Sequence, residues 1–142
     1  MITRSENWPE LMSLAVSHAL TRPFVPGADA CIFYIADIIG AYTGVDLAAD
    51  FRGKIESEKD MLRLVKSHER GMFGLVSDTM AKYGVPEIEV GYAQRGDLLL
   101  VESDGRNPML AMGLRVIGGV LTVGAKGCHI VPLGRALAAW KI

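Results

Sequence analysis

Apolar residues recur at spacings of three and four in "NWPELMSLAVSHAL", residues 7–20, where Leu11, Met12, Ala15, Val16 and Ala19 share one side. With Asn7 as a cap and Pro9 in the first turn, the pattern predicts an amphipathic helix. Residues 21–27 contain Pro23 and Pro26 and cannot continue it. Asp29 is placed to cap a second helix, in which Cys31, Ile32, Phe33, Ile35, Ile38 and Ile39 are apolar nearly all round. A helix of that kind belongs in a core. After "TGVDLAADFRGKIE", a loop with room for one turn, Ser57 and Asp60 form a capping-box pattern ahead of "MLRLVKSHE". A further helix, "MFGLVSDTMAKYG", closes on Gly84.

From Arg95 the texture changes. "GDLLLVE", "MLAMGLRVI", "VLTVG" and "CHIVPL" are short apolar or alternating runs separated by "SDGRN", a Gly118-Gly119 pair and "AKG", and they predict an antiparallel meander. The closing "GRALAAWKI" reads as a short helix or turn followed by a tail. Helices first and strands later describe an α+β fold, N-terminal helices packed on a C-terminal antiparallel sheet. No repeat or low-complexity tract divides residues 1–142, and a chain of 142 residues is expected to form one domain.

Charge removes several function classes. Fifteen Lys and Arg stand against 16 Asp and Glu, so no positive field exists to hold nucleic acid or an anionic membrane surface. The N-terminal residues lack the apolar run of an export signal, which predicts a cytoplasmic origin. "PMLAMGLRVIGGVLTVGA" is the longest apolar stretch, but Arg115 and the glycine pair suit two strands and a turn better than a membrane span. Cys31 and Cys128 lack metal-ligand spacing, and "RVIGGVLTVGAKG" lacks the ending of a phosphate loop, so no metal or cofactor is expected. Half of the residues are hydrophobic, which points to apolar surface covered by a partner or another copy.

The candidate chemistry lies at Cys31. A cysteine opening a helix meets the partial positive charge of its N-terminus, which favours the thiolate if a base is close. The same position suits an inert core cysteine. The order of elements resembles the NlpC-type branch of papain-like cysteine peptidases. More narrowly, "RPFVPGADACIFYIADIIGAYTGVD", "AQRGDLLLVE" and "LAAWKI" resemble an uncharacterised family encoded among the tail genes of phages and prophages. Pro23-Phe24, Gly27, Cys31 and Thr43-Gly44 fit that family's pattern. Ala30 stands where an aspartate is usual, and Pro26 where a tryptophan is usual. Aligned on Gly113, the base position of active relatives falls on Ala111.

The remaining histidine candidates are unequal. His18 on the first helix and His68 at a charged helix end read as solvated groups. His129 is better placed, although on a strand only one of Cys128 and His129 can face the Cys31 helix. Asp97 in the Gly96-Asp97 turn is expected to bond nearby backbone. Asp37, on an otherwise apolar helix, is expected at a pole of the domain or paired with an arginine.

The resemblance implies two functions. One is a tail assembly or docking protein, placed at the tail tip by family analogy, whose partners are other phage tail proteins and whose papain-like scaffold no longer catalyses. The other is a cysteine peptidase or amidase acting on peptidoglycan, with Cys31 as nucleophile and His129 as base.

Overall fold

A computed structural model of the chain describes residues 2–23, 31–102, 110–124 and 127–142, with Cys31 described by its backbone. Phe24, Pro26, Gly27, Asp29 and Ala30, and the predicted turns at 103–107 and 125–126, lie outside the described residues. Helix α1 spans Trp8–Thr21, with Pro9 in its first turn and Met12 and Ala19 buried. Asn7 holds the cap position without a side-chain hydrogen bond. Helix α2, Cys31–Thr43, buries Ile32, Phe33, Ile35, Ile38 and Ile39, as an apolar helix of the core should.

Local signals account for α3, Glu58–Lys66, and α4, Gly71–Lys82. The Ser57 hydroxyl accepts from the Asp60 N–H at 3.2 Å, and the Asp60 carboxylate accepts from the Glu56 N–H at 3.0 Å, one residue before the cap. At the far end of α4, Gly84 adopts a φ of 71°. The Val85 N–H then reaches the Met80 carbonyl at 2.9 Å and the Gly84 N–H that of Ala81 at 3.1 Å, closing the helix as a Schellman turn.

The strands are β1 (Glu87–Ile88), β2 (Leu98–Glu102), β3 (Leu110–Val116), β4 (Gly119–Gly124), β5 (Gly127–Val131) and β6 (Ala136–Trp140). They form one antiparallel sheet in the order β1-β6-β2-β3-β4-β5. The meander from β2 to β5 follows the sequence pattern. The C-terminus does not: "ALAAW" is neither helix nor tail but a strand inserted between β1 and β2. Its alanines prefer helix intrinsically, but small side chains also let a strand pack closely on both faces, and Trp140 anchors it in the core, 5.9 Å from Phe73 between ring centroids.

Both faces of the sheet are covered. Leu98, Leu100, Met112, Leu114, Leu121, Ala138 and Trp140 pack with the helices, while Leu99, Val101, Ala111, Val120, Val131 and Ala139 form a second cluster beneath Ile88, Val90 and Leu133. This double burial explains why β2 is apolar at consecutive positions. Gly113 belongs to the close contact of β3 with β4. A Cβ there would lie 2.5 Å from Val120 Cγ1 and 3.1 Å from the Leu121 carbonyl oxygen. Among the described residues, no helix is long and apolar enough to cross a membrane.

Candidate functional site

Cys31 is the first described residue of α2, Cys31–Thr43. The helix runs beneath β3 and β4, on the side of the sheet that carries Met112, Leu114 and Leu121. Six residues along, Asp37 is nearly half exposed and sits between two arginines. Its Oδ1 accepts from Arg52 Nη2 at 2.6 Å, and its Oδ2 lies 3.6 Å from Arg22 Nη1. The expected arginine pairing is therefore present, at the surface. Arg52 also grips Asp46 at 2.6 Å, and this hydrogen bond holds the Asp46 carboxyl below its ordinary value.

His129 lies on β5, opposite Thr122 of β4. Alternation along β5 sets Cys128 with the helix-side cluster and His129 with Val131, on the side of Val120. The His129 imidazole thus belongs to the sheet face turned away from α2. Its Nδ1 is 3.5 Å from the Gly127 carbonyl oxygen, and its ring lies over Gly124. Ala111, at the aligned base position, is in the same outer cluster as Val101 and Val120. The approach of Cys31 to either position lies outside the described side chains.

The histidine that shares a surface with α2 is His18. It lines a groove between α1 and α2 with Leu14, Arg22, Tyr34 and Asp37. Tyr34 is one turn along α2 from Cys31, and the Arg22 guanidinium stacks over its ring at 4.0 Å. Sequence reading assigned His18 to solvent. His18 is exposed, in keeping with that reading, and the antiparallel return of α2 along α1 sets it beside a second element. His68 closes α3, with Nδ1 3.2 Å from the Leu64 carbonyl oxygen.

A buried polar cluster joins residues near the two ends of the described chain. Asp97, fully buried, accepts from Arg4 Nη2 at 2.9 Å, from the Gln94 N–H at 2.9 Å and from the Ile142 N–H at 3.1 Å. Arg4 also donates to the Arg95 carbonyl at 2.8 Å and the Ile142 carbonyl at 3.1 Å, and stacks over Trp8 at 4.3 Å. The Tyr42 hydroxyl donates to the Gly96 carbonyl at 2.6 Å, and burial raises its pKa. Asp97 bonds nearby backbone as its turn predicted. Arg4 and, at 3.9 Å, the Lys141 ammonium complete its charge balance. The bonds described here all run to protein acceptors, so the cluster braces the fold.

Among the described residues, no cluster of three or more His, Cys, Asp or Glu could hold a metal ion. No curated protein and no solved structure matches the chain. A family model described as a domain of unknown function (DUF6950) matches residues 3–142, and the chain belongs to that family.

Proposed function

We propose that the protein is an assembly or docking component of a phage-type tail, built on an NlpC-like papain scaffold that no longer catalyses. One observation carries the reading. The described sheet residues on the helix-facing side include no histidine: they are apolar apart from Cys128 and the strand-end carboxylates Glu87 and Glu102, while His129 and the aligned position Ala111 face the other way. A cysteine at a helix start without an imidazole beside it is a weak nucleophile. The hydrophobic composition supports a protein that works by covering surface with partners.

The experiment is to produce virions carrying Cys31→Ala and to count assembled tails and infectious particles together. Both counts should match wild type. Normal tails with infectivity lost would overturn the docking reading.

A second reading is favoured by one feature, the place of Cys31 at the start of a 13-residue helix, where the dipole stabilises a thiolate. There the thiolate would add to an amide carbon of peptidoglycan, while a histidine took the thiol proton and returned it to the leaving amine. Slow alkylation of Cys31 by iodoacetamide in the folded protein is expected under the docking reading. Rapid labelling at neutral pH, abolished by His129→Ala or His18→Ala, would establish the peptidase reading instead.

A further inference from the structure

We propose that α1 is a self-pairing surface, through which two copies of the chain associate antiparallel about a twofold axis at Leu14. This goes beyond the tail reading and does not depend on it. Across its 14 residues α1 carries one carboxylate, Glu10, one imidazole, His18, and no Lys or Arg. A helix face left to solvent usually carries more charge. Leu14, in the middle of the helix, is 70% exposed.

Beside it runs the open groove between α1 and α2, of about 390 Å³, whose rim includes Ala15 and Ala41. A water needs only ~10–15 Å³ of such space, so the groove admits side chains. The small alanines leave its mouth open to a branched one.

The stripe itself selects a second copy as the occupant. Glu10, Leu14 and His18 follow one another at steps of four, so they lie in one row along the helix. Turning a second α1 antiparallel about Leu14 sets residue 10 against residue 18 of the partner, twice. Each Glu10 carboxylate then meets an imidazole donor, each Leu14 enters the groove of the other copy, and the helix dipoles oppose. A parallel arrangement would instead oppose Glu10 to Glu10. The antiparallel contact is isologous, so it closes at two copies and leaves no open end.

The test is sedimentation velocity on the full chain from about 1 to 100 µM, with variants compared by dissociation constant. Wild type should move from monomer to dimer within that range. Leu14→Asp should raise the dissociation constant at least ~10-fold with unchanged circular dichroism, since the position is exposed. Glu10→Lys should weaken pairing ~3–10-fold, and adding His18→Glu should restore it, because the exchanged charges meet again only in the antiparallel register. A wild-type monomer at the highest concentration would overturn the proposal. So would a dimer insensitive to Leu14→Asp, or a double charge variant no tighter than Glu10→Lys alone.

Discussion

Replacing Arg4 with alanine leaves the fully buried Asp97 carboxylate without its directly bonded cation and with only the Lys141 ammonium, 3.9 Å away. Breaking a buried ion pair from one side costs ~3–5 kcal/mol, most of it the penalty of the orphaned charge. Two backbone donors, Gln94 N–H and Ile142 N–H, and the more distant Lys141 ammonium remain on Asp97, which places the loss at the lower end, ~3 kcal/mol. Losing the stacking of Arg4 over Trp8 adds ~0.5–1 kcal/mol. The sum, ~3–4 kcal/mol, is a large part of the ~5–15 kcal/mol that holds a domain together. Urea unfolding followed by circular dichroism measures it directly, and the thermal midpoint should fall by about 10 °C. Asp97→Asn keeps the shape and one acceptor oxygen, so it should cost less, ~1–2 kcal/mol. The two substitutions should be non-additive, because either one removes the same interaction. An Arg4→Ala cost below ~1 kcal/mol, or strict additivity with Asp97→Asn, would refute the view that this pair braces the fold.

Two further outcomes follow from the geometry. Gly113→Ala places a methyl 2.5 Å from Val120 Cγ1 with the Leu121 carbonyl behind it, and should destabilise by ~1–3 kcal/mol in the same urea assay, whereas an unchanged midpoint would show that β3 and β4 can separate without loss. Asp46, held below its ordinary pKa first by the Arg52 hydrogen bond and then by the Ala48 N–H, contributes stability above the unfolded carboxyl value that disappears as pH falls through the lower folded value. Because its side chain is 40% exposed the effect is under ~1 kcal/mol, and Asp46→Asn should flatten that part of the acid limb of the urea-midpoint profile.

The elements legible in the sequence are those whose signals are local. The apolar wrap of α2, the Ser57–Asp60 cap and the Gly84 stop each lie within one or two helical turns, and the meander is punctuated by glycines. Strand β6 was hidden because "ALAAW" has the intrinsic preference of a helix, and its conversion to a strand depends on pairing with residues some forty positions away in β2. Arg4 and Asp97 are 93 positions apart, so no spacing rule could have joined them. The place of Cys31 on α2 was legible in the sequence, and the facing of His129 was not. Alternation along "GCHIV" separates Cys128 from His129 but does not tell which faces inward, since that is settled by register against Val123 and Thr122.

Register also bears on the alignment that set Ala111 at the base position. Ala111 and Gly113 are two apart, so they share a face, and Ala111 pairs with Val101 and Gly113 with Leu99, both members of the outer cluster. The positions of β3 directed at the helices are the intervening ones, Leu110, Met112, Leu114 and Val116. A histidine at 111 would therefore enter the apolar contact with Val101 and Val120, away from α2. Restoring the residue type at that position would not by itself restore a base to Cys31. Catalysis on this scaffold would require an imidazole on the helix side of the sheet or on a neighbouring helix. Among the described residues, the one histidine lining a surface with α2 is His18. It stands on the same stripe as Glu10 and Leu14. The same side chain is thus claimed by two uses, a base serving α2 or one end of a self-pairing contact. A dimer that buries it against Glu10 of a second copy would withdraw it from chemistry, so association through α1 and peptidase activity should exclude one another.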